Sequence, residues 1–127
     1  MERAIEILAA VQFLVLGLSH VFRPRAWVEC FVELRKLGHT GVFAHGVLSL
    51  WFGSVVVAFH GVWSGTGVVL TVVGWAYVLK SLVCFVAPEL GLHSLARVAP
   101  ERAYEFGLAG AAYLALAVLL GYRLLAS

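Results

Sequence analysis

Three titratable side chains, His20, His45 and Lys80, lie inside long apolar stretches of this chain. An ionisable group at membrane depth is costly, so each of them raises a functional hypothesis. Lys80 lies seven residues before the end of the third apolar stretch, which is about 10 Å of depth at 1.5 Å per residue. Its long side chain can reach the water interface or pair with Glu89 or Glu105; the alternative is that it binds a substrate or moves a proton.

The two histidines are expected to share a membrane leaflet with this lysine, since His20 is near the end of the first stretch and His45 near the start of the second. The sequence therefore predicts a polar pocket from His20, His45, Lys80, Glu89 and Glu105. Two histidines from adjacent helices can also ligate the iron of haem b, which leaves a haem protein as an alternative. A histidine that is hydrogen-bonded to a neighbouring helix is the more common arrangement.

Other polar residues of the apolar stretches favour structural roles. We expect Gln12, near the middle of the first stretch, to hydrogen-bond to another helix. Glu6 is near enough to a span end to reach the membrane interface, and His60, at the end of the second stretch, should contact lipid headgroups.

The sequence contains none of the usual catalytic patterns: no nucleophile has a base beside it, and there is no Gly-rich phosphate loop and no pair of acids suited to hydrolysis. Cys30 and Cys84 form no CxxC pair and have no histidine at the spacing of a tetrahedral metal site. These observations disfavour an enzyme, and we expect no metal and no cofactor.

Composition places the chain among membrane proteins. Of its 127 residues, 62% are hydrophobic and only 13% are charged, with a mean hydropathy of +0.97, whereas ordinary globular chains are about one quarter charged. The formal charge of +2 is too small to indicate nucleic-acid binding. The length predicts a single domain, residues 1–127.

Four stretches are long enough to cross a bilayer, which takes about 20 apolar residues; they are residues 4–22, 41–60, 65–87 and 104–125. The sequence thus predicts an all-α membrane four-helix bundle. Between the first two spans, residues 23–40 read as an amphipathic helix in the membrane interface, because Pro24 suits a first helical position and Gly38 the residue after a last turn. Trp27 would anchor this helix.

Small residues at intervals of three, four or seven predict where the helices approach each other in lipid. These residues are Gly46, Ser49 and Gly53 in the second span, Gly67, Thr71, Gly74 and Ser81 in the third, and Gly110, Ala117 and Gly121 in the fourth.

Orientation follows from the basic residues near the span ends. The two long links hold Arg23, Arg25, Arg35, Lys36, Arg97 and Arg102, whereas the termini hold only Arg3 and Arg123 and the short second link holds none. By the positive-inside rule, the long links are cytoplasmic and both termini lie outside.

Two local resemblances accompany these patterns. The run from Trp63 to Leu70, WSGTGVVL, resembles the third-helix motif of small multidrug resistance transporters. That family depends on an embedded glutamate in its first helix, where this chain has Gln12, so we do not transfer proton-coupled export. The stretch from Gly17 to Pro24, GLSHVFRP, resembles DoxX-like bacterial four-helix membrane proteins. That resemblance implies the architecture and a bacterial inner membrane, but not a function.

The sequence therefore predicts a small non-enzymatic membrane bundle, an accessory subunit or scaffold that forms a homo-oligomer or joins a larger membrane complex in the lipid bilayer. The alternatives are a small transporter or channel with the polar pocket on its cytoplasmic side, and a haem-binding electron-transfer protein.

Overall fold

The computed structural model describes residues 2–126 as six α-helices joined by short turns. No strand occurs in this range, which confirms the all-helical prediction. The elements are α1 (Glu2–Phe22), α2 (Pro24–Lys36), α3 (His39–Phe59), α4 (Val68–Val86), α5 (Pro88–Ala96) and α6 (Ala103–Ala126), with 3₁₀ turns at Gly65–Gly67 before α4 and Pro100–Arg102 before α6.

Four of these segments are long and apolar enough to cross a membrane: α1, α3, α4 with its preceding turn, and α6 with its preceding turn. Hydrocarbon requires every backbone polar group to be bonded within the protein, and continuous helices meet that requirement. By length and composition, the fold is that of a small multi-pass helical membrane protein.

Prolines and glycines set the boundaries of the helices. Pro24, Pro88 and Pro100 each begin an element, where their missing N–H costs no helical hydrogen bond. Gly38 separates α2 from α3 at a φ of 64°, a left-handed conformation that glycine adopts without steric cost. The link after the first span therefore contains a helix, as its sequence predicts, while the position of that helix in the membrane interface stays a prediction.

The four long helices form two antiparallel pairs, α1 with α6 and α3 with α4. In the first pair the backbones meet at Gly17 and Gly110, since a Cβ on Gly110 would lie 2.8 Å from the carbonyl oxygen of Gly17. In the second pair, a Cβ on Gly53 would lie 2.9 Å from the carbonyl oxygen of Gly74, and a Cβ on Gly74 would collide with Val56. These glycines belong to the small-residue stripes of the sequence, apart from Gly17.

Aromatic side chains join the two pairs. Phe13, Phe52, Tyr77 and Tyr113 come one from each long helix and form a closed circuit, which we call the four-ring layer. Phe13 is 5.6 Å from Phe52 and 5.5 Å from Tyr113 between ring centroids. Phe52 is 5.1 Å from Tyr77, and the two tyrosine hydroxyl oxygens are 3.3 Å apart. The layer fills the centre of the bundle with side chains.

The four-ring layer separates two ends. The terminal end holds the start of α1, the α3–α4 turn and the end of α6, and the link end holds α2 and α5. At the link end, Arg35 of α2 donates to the carbonyl oxygens of Leu95 and Val98 at 3.4 and 3.1 Å. The Leu95 carbonyl is in the last turn of α5 and the Val98 carbonyl lies just beyond it, where carbonyl oxygens can accept bonds from a neighbouring element. Arg35 therefore fastens α2 to α5.

The α1–α6 crossing yields a first prediction. In Gly110→Ala the new methyl group would meet His20 Cβ at 2.6 Å and backbone atoms of Gly17 and Val21 at 2.8 and 2.9 Å, so α1 must shift. We expect a loss of about 1–3 kcal/mol in the free energy of unfolding, as for overpacked cores. The matched variant is Gly107→Ala, whose methyl group would have no atom within 4 Å; it should be neutral or stabilising by up to about 1 kcal/mol. Unfolding in detergent measures both, and equal losses would contradict the crossing.

Candidate functional site

A cavity of about 330 Å³ opens at the link end between α2, α3, α4, α5 and α6. His45 of α3 and Lys80 of α4 line it. Most of the remaining wall is apolar and includes Phe31 of α2, Leu95 of α5 and Phe106 of α6. Of the five residues predicted to form a polar pocket, His45 and Lys80 line this cavity.

His45 and Lys80 have few partners of their own. The His45 ring packs edge-on against Phe31, with 5.4 Å between centroids, and it makes no hydrogen bond with any residue in the range 2–126. Lys80 Nζ lies 5.8 Å from the centroid of the Tyr77 ring. Across the same range, no carboxylate oxygen comes within 4.0 Å of that ammonium.

His20 lies in a different place from the one that the sequence predicts. Its ring stacks on Trp27 at 4.1 Å and meets Tyr113 edge-on at 5.2 Å, and its Nδ1 donates to the carbonyl oxygen of Leu16 at 2.7 Å. The residue is only 6% exposed and does not line the cavity. It packs α1 against α2 and α6. The haem alternative, which uses both His20 and His45, stays a prediction.

The two acids expected beside Lys80 lie elsewhere. Glu105 Oε1 is 3.6 Å from Nη2 of Arg97, and both side chains are exposed. Glu89 is in the first turn of α5, where a carboxylate is favoured by the helix dipole. Neither acid lines the cavity, so the expected ion pair with Lys80 is absent from the described residues.

A second polar site lies buried at the terminal end and was not predicted. Glu6 accepts from Arg123 Nε at 2.9 Å on one oxygen, and its other oxygen is 2.8 Å from Nε2 of His60. His60 Nδ1 is 3.0 Å from the hydroxyl oxygen of Thr71, which donates to the carbonyl oxygen of Val62 at 2.7 Å. We call Glu6, His60, Thr71 and Arg123 the terminal network.

Hydrogen counting fixes the direction of the bond between His60 and Thr71. The Thr71 hydroxyl has one hydrogen, and its short contact with Val62 uses it, so His60 Nδ1 must donate to Thr71.

The acid–imidazole–hydroxyl order resembles a catalytic triad, but the chemistry does not follow. A nucleophilic hydroxyl donates its hydrogen to the imidazole, whereas Thr71 donates to a backbone carbonyl. Thr71 is 1% exposed and His60 is fully buried, so a substrate carbonyl has no access. The terminal network instead ties α1, the α3–α4 segment and α6 together.

Three expectations from the sequence are corrected by these contacts. His60 does not contact lipid headgroups, because it is fully buried, and Glu6 does not extend to the interface, because it is 4% exposed and bonded to His60 and Arg123. Gln12 makes no hydrogen bond to another helix among the described residues.

One sequence signal locates the terminal network. Glu6, Phe13 and His20 are seven residues apart on α1, and Gly46, Gly53 and His60 have the same spacing across α3. Residues at this interval share a helix face, so His60 continues the small-residue stripe. Glu6 lies on the buried face that Phe13 and His20 define.

Among residues 2–126 there is no group of three or more histidine, cysteine or acidic side chains placed to hold a metal ion. Comparison with protein-family models, curated proteins and solved structures finds no match to this chain.

The terminal network yields a second prediction. Glu6→Gln keeps the shape of the side chain but removes the charge that faces His60 and Arg123. Breaking a buried ion pair from one side costs about 3–5 kcal/mol, so we expect a loss of this order in the free energy of unfolding.

The matched control is Glu2→Gln on the same helix, where the acid is exposed and the expected change is within about 0.5 kcal/mol. Chemical unfolding in detergent measures both variants. If Glu6→Gln were no more destabilised than Glu2→Gln, the network would not hold the terminal end together.

Proposed function

We propose that this protein is a closed, non-enzymatic membrane bundle that acts as an accessory subunit or scaffold in a bacterial inner membrane, self-associated or joined to a larger complex. One observation carries the proposal: the interior between the two ends is filled. The buried core there consists of Ile5, Ala9, Phe13, Val56, Leu70, Ala117 and Leu120, and the four-ring layer packs on it.

The polar groups of the terminal network support the same proposal, because each already has a bonding partner within the protein. The carboxylate and imidazole inside the terminal end bond to each other and to neighbouring helices, which leaves neither free for acid–base work. Thr71, the hydroxyl beside them, already donates to the backbone. A rigid bundle whose interior side chains bond among themselves is suited to packing against other proteins.

A small transporter is the second candidate function, and one observation favours it: His45 and Lys80 line the same cavity. Against it, the cavity lies at the link end, and Phe13, Leu70 and Leu120 toward the terminal end are each at most 2% exposed. A solute could cross only if the four-ring layer opened. A channel is disfavoured for the same reason.

The proposed orientation places the link end in the cytoplasm and both termini outside. All six basic residues of the two long links lie at the link end, either on or next to α2 or between α5 and α6, and basic links face the cytoplasm. On α2, Val28 is buried while Glu29 and Glu33 are exposed, which is the two-faced pattern of a helix in the interface plane. The resemblance of residues 17–24 to DoxX-like proteins supports the bacterial inner membrane.

Native and introduced cysteines test this orientation. Cys30 is exposed on α2, and Ser64 is exposed in the α3–α4 turn. In a Cys84→Ser background, a membrane-impermeant maleimide should label Cys30 in inverted vesicles and not in intact spheroplasts. In the same background with Cys30→Ser and Ser64→Cys, the maleimide should label position 64 in intact spheroplasts and not in inverted vesicles. Labelling of both positions from the same side would overturn the four-span topology.

The mass of the assembly extracted from the membrane tests the accessory-subunit proposal. We expect protein extracted from its membrane into native nanodiscs to contain two or more copies of the chain, or the chain with a further subunit, by native mass spectrometry. Single chains without a partner would contradict the proposal. Solute flux through proteoliposomes that hold only this chain would favour the transporter instead.

A further inference from the structure

We propose that the link-end cavity binds one small monoanion with an apolar body, a medium-chain carboxylate, whose acid group contacts Lys80 and His45. The inference goes beyond the proposed function, because a scaffold needs no ligand. It rests on the charge, the wall and the depth of the cavity.

Charge determines the kind of headgroup. Lys80 has no carboxylate within 4.0 Å among the described residues, and its one aromatic contact is with Tyr77. No acidic side chain lines the cavity. A lysine without a counter-ion inside a membrane helix is costly, and a bound carboxylate would supply that counter-ion with charge-assisted hydrogen bonds.

His45 adds a second donor at the same place. It lines the cavity beside Lys80, is half-buried and forms no hydrogen bond with the described residues. Its neutral imidazole has one N–H to donate. A carboxylate can accept from Lys80 and from His45 together, and unlike a neutral alcohol or a cationic amine it also neutralises the ammonium.

The wall determines the rest of the ligand. Phe31, Val42, Leu90, Leu95 and Phe106 surround the space on the link side of the two polar residues. Ligand pockets of this kind bury an apolar body and use a few polar groups for orientation. A volume of about 330 Å³ is at the lower end of the usual range of about 300–1,000 Å³, which favours a small ligand over a two-chain lipid.

Depth determines the direction of entry. His45 is six residues from the start of α3 and Lys80 six residues from the end of α4, so both lie about 9 Å inside the link end. The apolar wall from α2 and α5 lies closer to the water interface. An acid would therefore enter head first, and its apolar body would remain between α2, α5 and α6.

Octanoate is the probe for this site, measured by equilibrium dialysis against protein in lipid nanodiscs, with empty nanodiscs as the reference for partition into lipid. We expect saturable binding of one octanoate per chain. Octanol and octyltrimethylammonium, which have the same tail and no anionic head, should bind no more than they do to empty nanodiscs. Non-saturable uptake of octanoate, or equal binding of the cation, would overturn the proposal.

Matched variants locate the site. Lys80→Met should weaken octanoate binding about tenfold or more, since it removes the charge and keeps most of the stem. Lys36→Met removes an exposed cation at the same end, one that pairs with Glu33, and should leave binding unchanged. Equal losses in the two variants would reduce the effect to surface charge and contradict the proposal.

A second pair of variants tests the cavity itself. Ser94 is exposed and lines the cavity, whereas Ala96 is exposed on the same helix and does not. Ser94→Phe should abolish octanoate binding by filling the space, and Ala96→Phe should preserve it, with unfolding midpoints showing that both variants are folded. Retained binding in Ser94→Phe would place the ligand elsewhere. A monomer that binds octanoate would contradict the scaffold proposal and leave this inference intact.

Discussion

Inside hydrocarbon, a polar group has only the rest of the protein to bond with, and this constraint organises the whole chain. Continuous helices satisfy the backbone, and the terminal network satisfies the side chains at one end: Glu6, His60 and Thr71 are almost completely buried, and each has a partner. Because these partners come from α1, the α3–α4 segment and α6, satisfying them fixes the relative positions of all four long helices at that end.

The two helix pairs are held by different kinds of contact. Within each pair, glycines let the backbones touch, as Gly17 does with Gly110 and Gly53 with Gly74. Between the pairs, the contact is made by rings and by the terminal network. Lipid is as apolar as the helix surfaces, so helix association depends on close packing and polar bonds. Here close packing holds each pair together, and close packing and polar bonds together join the two pairs.

Much of the fold could be predicted from the sequence because the deciding signals are local. Four apolar stretches give the long helices, Pro24 and Gly38 bound α2, and the small-residue stripes mark most of the crossings. The neighbours of each helix are not a local property. His20 was expected beside His45 because their spans are adjacent in sequence, but α1 packs chiefly on α6, which turns His20 toward Tyr113 and away from the cavity.

The same reasoning explains why part of the link-end cavity could be predicted from the sequence and the terminal network could not. Lys80 stands out in an apolar helix by its charge alone, whatever its neighbours are. Glu6, His60 and Arg123 lie near span ends, where a charged residue is ordinary, and their role appears only when the first and last helices are known to be paired. The two ends therefore differ in a physical sense. At the terminal end the protein supplies every partner for its charges, whereas at the link end the described residues leave Lys80 without a counter-ion beside an apolar cavity. That difference makes the link end, and not the triad-like terminal network, the place where a ligand can contribute what the chain lacks.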